Sequence, residues 1–242
     1  MTRLAAVVGA FSILTLAMTA RADLVHTDDL VLIDDFLIGD LWTMSASGSQ
    51  TDLDPGGVHI MGGQRDTSFT VLGGAPSLRH FYYSGSFKGI ECSSNGPDGL
   101  ATWTVEYGKT SNLNEDLLEE YRYVFTLAIL YNDSANPVPI AATAVSGNES
   151  PETRKSNTVT KYFSEVFGEP APFDSLRLIY FPYAEFPDVD FTDVDYVSFT
   201  FGGNDPLLKG LDFASGAYFN CPEPATLSLL LLGGLALIRR RG

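Results

Sequence analysis

The chain has 242 residues, of which 45% are hydrophobic and 19% charged, a balance typical of a folded globular protein with one or two domains. Its formal net charge is −15. Leaving out five arginines near the two ends, together with Glu223, leaves 10 basic and 29 acidic residues. Such an acidic surface repels nucleic acids and anionic lipid headgroups, so binding to either is disfavoured. Neutral sugars, cations and basic partners remain open.

The N-terminus has the three parts of a secretory signal peptide. Arg3 supplies the basic region, and an apolar run extends from Leu4 to Thr19. The run is followed by Ala20 and Ala22, the small residues at the two positions that signal peptidase requires. We therefore expect residues 1–22 to be removed by signal peptidase, with Asp23 as the new N-terminus. An uncleaved membrane anchor is the alternative.

Residues 23–220 predict a single all-β domain. About ten short segments are rich in aromatic and β-branched residues and are separated by Gly or Pro, which favours an antiparallel, jelly-roll-like β-sandwich. The clearest strand is 100–108, where apolar and polar residues alternate. The other predicted strands are 30–36, 57–63, 67–74, 80–87, 121–131, 158–163, 175–181, 194–203 and 211–219.

Three segments carry more particular expectations. Residues 121–131 are apolar on both faces after Arg122, which predicts a central strand covered by a second layer. Residues 136–157 are rich in Pro, Ser, Thr and Asn, which predicts a long exposed loop. Residues 112–121 predict either one or two helical turns or an acidic loop.

The chain has two cysteines, Cys92 and Cys221. In an exported protein they could form one disulfide that ties the end of the chain to its body, and two unpaired thiols are the alternative. Because they lack CxxC spacing, a zinc site or a redox centre is disfavoured.

No local motif for catalysis is present. His26, His59 and His80 are scattered, and the sequence contains neither a GxSxG nucleophile motif nor a phosphate-binding glycine loop. These observations predict a non-enzymatic protein without a cofactor. Two carboxylates from distant strands, as in glycosidases, stay open as an alternative.

Four aspartates alternate with apolar residues in the segment "FPDVDFTDVDY". Closely spaced carboxylates could bind a hard cation, so Asp188, Asp190, Asp193 and Asp195 are the candidate ligands for calcium. The competing interpretation is a solvated strand edge, where charge discourages pairing with another strand.

Clusters of aromatic residues offer a second kind of candidate site. Exposed rings can cover the apolar face of a sugar, which makes Tyr82, Tyr83, Tyr180 and Tyr183 candidates for a sugar-binding platform. The alternative is that these rings point into the core of the sandwich.

The C-terminus has three elements in order: Pro222-Glu223-Pro224, an uncharged run of 14 residues from Ala225 to Ile238, and Arg239, Arg240 and Arg241. As a helix the run is about 21 Å long, against roughly 30 Å of bilayer hydrocarbon. A short transmembrane span is allowed because the arginines can extend to the interface, and their position follows the positive-inside tendency.

These three elements resemble the PEP-CTERM sorting signal of exported Gram-negative bacterial proteins. The resemblance covers residues 221–242 and implies recognition by an exosortase in the inner membrane, followed by cleavage near the Pro-Glu-Pro motif. It also implies release to the cell surface or to an extracellular exopolysaccharide matrix, as in biofilms. Cys221 departs from the aliphatic residue that more usually precedes the motif.

The sequence therefore supports three functional hypotheses. The first is a structural or adhesive component of an exopolysaccharide matrix. The second is a carbohydrate-binding module, with or without calcium. The third is an enzyme that acts on glycans.

Overall fold

The part of the chain that the structure describes is built from thirteen β-strands. The structure is a computed structural model that describes residues 31–84, 87–96, 98–110, 112–118, 123–134, 136–147, 153–167, 177–205 and 209–221. It divides the chain into two units, Met1–Val31 and Leu32–Gly242, and the fold below is that of the second unit. In chain order the strands are β1 (Val31–Asp34), β2 (Thr43–Met44), β3 (Gly48–Leu53), β4 (Gln64–Gly73), β5 (Ser77–Ser84), β6 (Phe87–Ser93), β7 (Leu100–Tyr107), β8 (Val124–Asn132), β9 (Val138–Ser146), β10 (Lys155–Phe163), β11 (Arg177–Pro182), β12 (Val194–Gly202) and β13 (Asp212–Cys221).

The strands form two antiparallel sheets. Sheet A has seven strands, six of them in the order β11-β8-β13-β6-β5-β2, and β1 also pairs with β13. Sheet B has six strands in the order β10-β9-β12-β7-β4-β3. One core cluster draws its buried side chains from both sheets, which confirms the prediction of an all-β sandwich.

The alternation read from the sequence of β7 is confirmed. Ala101, Trp103, Val105 and Tyr107 are buried in the core, whereas the polar residues between them are only half-buried. Strand β8 is buried along almost its whole length, as its continuous apolar run predicts, and it lies between β11 and β13. Burial on both faces explains why its pattern is not alternating.

The predicted loop over 136–157 is wrong over most of its length, because β9 covers Val138–Ser146 and β10 begins at Lys155. Strand β9 begins at Val138 and forms a hairpin with β10, and the alternate residues Ile140, Ala142 and Ala144 lie in the core. Pro139 lies opposite Tyr162 of β10, one residue beyond the last pair of β9 with β12, Ile140 with Phe201. A missing backbone N–H at Pro139 therefore costs no bond to β12.

One other segment differs from the expectation, and a second fits the loop alternative and not the helical one. The predicted strand over 57–63 contains a 3₁₀ turn at Met61–Gly63, in which Gly62 has a φ of 70°. Residues 112–118 contain no helix. Asn114 has a positive φ, and Glu115 instead forms an antiparallel bridge with Val194.

Aromatic rings fill the space between the two sheets. Trp103 of β7 stacks on Phe201 of β12, with the ring centroids 4.7 Å apart. Phe213 of β13 lies 6.0 Å from Trp103, so contacts between the rings join sheet B to sheet A. Edge-to-face and offset contacts of this kind add to the stabilisation that apolar burial provides.

A buried ionic network lies between β1, β3 and β4. The guanidinium of Arg65 donates to both carboxylate oxygens of Asp34, at 2.9 and 3.0 Å, and to Asp52 Oδ2 at 2.7 Å. Asp34 also accepts hydrogen bonds from the Tyr107 hydroxyl and the Phe36 backbone N–H. Burial raises the pKa of Asp34, although the Arg65 charge acts in the opposite direction. Every charge in this network thus has a partner, as burial requires.

Within the described ranges, no helix is long and apolar enough to cross a membrane. Residues 1–22, Pro222-Glu223-Pro224 and Arg239 to Arg241 lie outside those ranges, so the predicted signal peptide and sorting signal are not part of the fold described above.

Candidate functional site

The four candidate calcium ligands do not converge. The Asp190 carboxylate accepts hydrogen bonds from the backbone and the hydroxyl of Thr192, at 3.0 and 2.7 Å, and these bonds lower its pKa. Asp188 and Asp193 are exposed, whereas Asp195 is buried in β12. Among the described residues, no group of three or more His, Cys, Asp or Glu side chains could hold a metal ion. The segment is therefore a hydrogen-bonded turn that leads into a strand.

Cys92 takes no part in the disulfide that the sequence leaves open as one of two alternatives. Cys92 is a free, buried cysteine, and burial raises the pKa of its thiol to about 12. In the ladder Cys92 lies opposite Phe213, whereas Cys221 is at the far end of the same strand. Eight residues of strand separate these two positions by about 26 Å, several times the Cα separation that a disulfide spans.

The four tyrosines do not form one platform. Tyr183 is 6% exposed and stacks on Phe191 with the ring centroids 3.8 Å apart, so it belongs to the core. Tyr82 is 56% exposed and Tyr180 is 39% exposed, but they lie on β5 and β11, which are separated by three strands of sheet A. The side chain of Tyr83 lies outside the described part of the structure.

A row of polar residues crosses the outer face of sheet A instead. Arg79 of β5 lies opposite Glu91 of β6, Glu91 lies opposite Ala214 of β13, and Ala214 lies opposite Tyr131 of β8. The residues next to them in these strands, such as Leu78, Cys92 and Phe213, point into the core. Because strand side chains alternate between faces, Arg79, Glu91 and Ala214 point outward. Tyr131 lies opposite Ala214 at an irregularity of the ladder, where Ser215 pairs with Ile129 and Leu130 is skipped. The row spans about 14 Å over three strand spacings.

Two more carboxylates adjoin this row. Asp212 precedes Ala214 by two residues, and Asp133 follows Tyr131 by two residues. The backbone N–H of Asp133 donates to the carbonyl oxygen of Asp212 at 2.9 Å, which joins the two segments. We call the set Arg79, Glu91, Tyr131, Asp133 and Asp212 the acidic row.

The charges of the acidic row act on one another. Burial and the negative charges of Glu91 and Asp133, against the effect of Arg79, together raise the pKa of Asp212 to about 6. Burial and the same carboxylates raise the pKa of Tyr131 to about 12, and its side chain hydrogen-bonds to Asp133. Carboxyl groups with perturbed pKa values are more frequent at functional sites than elsewhere.

The one cation of the acidic row is held in a defined geometry. Arg79 Nη2 lies 2.9 Å from both carboxylate oxygens of Glu91, and the Arg79 guanidinium lies 4.8 Å from the centre of the Phe81 ring. The Arg79 side chain is half exposed and that of Glu91 is 14% exposed. Planar groups fixed in this way can donate and accept pairs of hydrogen bonds, as ligands rich in hydroxyl groups require.

Beyond the acidic row the same face becomes apolar. The side chain of Leu130 reaches over Gly89 and Gly216, where added Cβ atoms would lie 2.7 and 2.9 Å from its carbons. Leu130 and Ala128 are buried although they do not belong to the core cluster. The residues of this face that adjoin the acidic row are therefore apolar and buried.

The outer face of sheet B has a different chemistry. Threonines from adjacent strands pair there, with Thr104 and Thr200 hydroxyls 2.9 Å apart. It also carries an ion pair, Lys109–Glu106, whose side chains are 48% and 13% exposed. This pair has nearly the same exposure as Arg79–Glu91, which makes it a matched reference for experiments on the acidic row.

Sequence reasoning missed every member of the acidic row. The alternation in "SLRHFYYS" does place Arg79 on the face opposite Leu78 and His80. However, the residues of the row come from four strands whose neighbours are set by the topology of the sheet. No local signal in the sequence places Asp212 near Glu91.

No protein-family model matches the chain, and no curated protein matches it. Several solved structures are similar in shape. The family 11 carbohydrate-binding module of the cellulosomal cellulase Lic26A-Cel5E of Clostridium thermocellum is 12% identical, with a TM-score of 0.39 over 79% of this chain and 94% of the module. The family 11 module from Clostridium thermocellum in complex with a beta-1,3-1,4-mixed-linked tetrasaccharide is 14% identical, with a TM-score of 0.36 over 80% and 95%. TmCBM61 in complex with beta-1,4-galactotriose is 9% identical, with a TM-score of 0.31 over 62% and 86%. At this level of similarity they carry no inference about what this chain binds.

Proposed function

We propose that this protein binds a neutral or basic polysaccharide through the acidic row on the outer face of sheet A. The observation that carries the proposal is the register of β5, β6, β13 and β8, which places Arg79, Glu91 and Tyr131 in line on one face. Carboxylates, a guanidinium and a phenol give this line acceptors, donors and a ring, the groups with which proteins hold sugars.

The charge of the site supports this class of ligand. Three carboxylates and one guanidinium make the acidic row net negative, and the whole chain has a net charge of −15. An anionic polymer would be repelled by both, whereas a neutral glycan would not, and a chain that carries amino groups would be attracted.

A glycan array and affinity electrophoresis of the purified exported protein test the proposal. Glu91→Gln removes a charged acceptor and should weaken binding about 10- to 100-fold, because hydrogen bonds to charged groups are worth about 1.5–3 kcal/mol. Glu106→Gln removes an acceptor of matched exposure from the other sheet and should leave binding unchanged. Equal effects of the two variants, or no binding to any glycan by the wild-type protein, would exclude the acidic row as the site.

One observation favours a second candidate function, glycan hydrolysis. A carboxyl group with a pKa near 6, such as that of Asp212, keeps its proton close to neutral pH and can act as a general acid beside a second carboxylate, here Glu91. Release of reducing ends from a bound polysaccharide, abolished by Asp212→Asn, would establish hydrolysis. Binding without any release of reducing ends would support the binding function and exclude hydrolysis.

We further propose that the protein is exported and sorted by an exosortase, which would place it at the cell surface or in an extracellular polysaccharide matrix. The support is the order of the C-terminal elements, Pro222-Glu223-Pro224, an apolar run and three arginines, behind an N-terminal signal pattern. Mass spectrometry of the released protein should find Asp23 at its N-terminus and no peptide that contains Arg239 to Arg241. A released chain that keeps those arginines would contradict sorting by this route.

A further inference from the structure

Among the described strands, β10 is the longest that lies at the end of a sheet. It is the terminal strand of sheet B and pairs there only with β9. That ladder runs without an irregularity from Lys155 opposite Ser146 to Phe163 opposite Val138. The other terminal strands are shorter, since β3 and β11 have six residues each and β2 has two. Strand β10 therefore presents about 30 Å of regular backbone whose outer N–H and C=O groups can pair with another strand.

The sequence of β10 does little to prevent such pairing. Natural proteins protect exposed strand edges with proline, bulges, short strands or charged residues. Strand β10 contains neither proline nor glycine, and its centre is the β-branched run Thr158–Thr160. Its two charged residues are Lys155 and Lys161, and Lys161 Nζ lies 2.9 Å from the Glu185 carboxylate, which compensates its charge. Lys155 is thus the main protective residue along this edge.

The charge of this edge differs from that of the rest of the chain. Residues 153–167 contain three basic residues and one acidic residue, whereas the whole chain has a net charge of −15. Arg154 and Lys155 lie at the start of the segment, and Glu165 lies near its end. Two copies of so acidic a chain repel each other over most of their surface, but least where β10 lies.

We propose that two copies of this chain form a symmetric dimer in which β10 of one copy pairs antiparallel with β10 of the other. Twofold dimers with the same surface on both copies are the commonest soluble oligomers. A twofold axis normal to sheet B at Val159 keeps the inner and outer faces of the two sheets aligned. The two copies of sheet B then form one sheet of twelve strands, joined by about eight to ten new backbone hydrogen bonds.

The side chains that meet in this register are compatible. On the outer face Thr158 lies opposite Thr160 of the second copy, and Ser156 lies opposite Tyr162 of the second copy. On the inner face Val159 lies opposite its own counterpart. Neither lysine of β10 lies opposite another charged residue, and the basic start of each strand comes beside the acidic end of the other. Strand β10 is therefore complementary to itself in the antiparallel direction.

The dimer has a consequence for binding. Because the axis is normal to sheet B, both copies of sheet A lie on the same side of the joined sheet, so both acidic rows face the same way. A polysaccharide long enough to reach both rows would be bound at two points, which increases avidity without any new contact. This consequence rests on the proposed function, whereas the dimer itself does not.

Sedimentation velocity of the purified exported protein tests for the dimer. A single pair of strand edges is a small interface, so we expect monomer at about 1 µM and mostly dimer at about 300 µM. Hydrogen exchange should show that amides of residues 155–163 become more protected as the concentration rises. A wild-type protein that stays monomeric over this range, or a dimer without added protection in β10, would overturn the proposal. Neither measurement involves a glycan, so the result is independent of the proposed function.

Two double variants at the same positions test the register. Thr158→Lys with Thr160→Lys brings lysine opposite lysine twice and should weaken dimerisation about 10-fold. Thr158→Glu with Thr160→Lys brings opposite charges together twice and should dimerise at least as well as wild type. Both variants lose the contact between the Thr158 and Thr143 hydroxyls, which lie 2.8 Å apart, so this loss does not distinguish them. Equal dimerisation of the two variants would overturn the antiparallel pairing.

A third double variant controls for the change in net charge. Ser49→Lys with Thr51→Lys adds the same two charges to exposed positions of β3, at the opposite end of sheet B. It should dimerise at least as well as wild type, because the added lysines lower the net negative charge without touching β10. Loss of the dimer in this variant, with the dimer retained in Thr158→Lys with Thr160→Lys, would place the interface elsewhere and overturn the proposal.

Discussion

Replacing Arg65 with methionine tests the account of the buried ionic network most directly. Methionine keeps much of the side-chain volume and removes the charge. It leaves the Asp34 and Asp52 carboxylates in place, with side-chain exposures of 0% and 2%. Among the described residues, Arg65 is the only cation that forms an ion pair with either carboxylate.

The expected loss of stability is large. Removing one partner of a buried ion pair typically costs about 3–5 kcal/mol, because the remaining charge stays buried without compensation. Two carboxylates lose their partner here, so the upper part of that range is expected. For a domain of this size each kcal/mol lowers Tm by about 2–4 °C, so Tm should fall by about 6–20 °C.

Urea unfolding of wild-type and Arg65→Met proteins, followed by circular dichroism, measures the difference in the free energy of unfolding. Arg79→Met is the matched control, because the half-exposed Arg79–Glu91 pair should contribute about 0–1 kcal/mol. A loss below 1 kcal/mol in Arg65→Met, or an equal loss in both variants, would refute the reasoning.

The pH dependence of Arg65→Met gives a second test. Without the guanidinium, the buried carboxylates bind protons more readily in the folded state than in the unfolded state. The free-energy cost of burying these ionised carboxylates without a partner is therefore fully present at neutral pH, and it decreases as pH falls toward about 4. The deficit relative to wild type should be smaller at pH 4.5 than at pH 7.5, and a deficit independent of pH would contradict this explanation.

Three further predictions follow from the described geometry. Because the pKa of Asp212 is raised from 3.8 to about 6, the free energy of unfolding measured in urea should fall more steeply between about pH 4 and 6 in wild type than in Asp212→Asn, and equal slopes would contradict this. Gly89→Ala should destabilise the protein by about 1–3 kcal/mol in thermal melts, since its Cβ would lie 2.5 Å from the Ser215 carbonyl oxygen and 2.7 Å from Leu130, and an unchanged Tm would refute this close approach. Cys92, buried and with a pKa of about 12, should resist iodoacetamide in the native protein and react after unfolding, as peptide mass spectrometry would show.

Strands were predictable where the side chains report burial clearly. In β7 the inward residues Trp103 and Val105 are much more hydrophobic than the threonines beside them, so the period of two is visible in the sequence. In β9 the inward residues include Ala142 and Ala144, and the outward residues include Ala141. The two faces of this strand therefore differ little in hydrophobicity. The prolines around this segment strengthened the wrong prediction of a loop.

The candidate site was not predictable, since its residues are far apart in the chain. Arg79 and Asp212 belong to segments that meet only because β13 pairs with β6. The aspartates at 188–195 and the four tyrosines are candidates in the sequence only because they lie close together along the chain. Residues that cluster in the sequence can have their partners inside the fold. Asp190 accepts a hydrogen bond from Thr192, and Tyr183 stacks on Phe191.

The sequence by itself determined the all-β class, the acidic character and the inward faces of the strongly alternating strands, because those properties depend on composition and on alternation within one strand. The tertiary structure alone decided that Arg65 is buried between Asp34 and Asp52, and that Arg79, Glu91, Tyr131, Asp133 and Asp212 share one end of one face. The physical reason is that the neighbour of each strand and its register follow from packing the whole sandwich, and these long-range pairings leave no periodic trace in the chain.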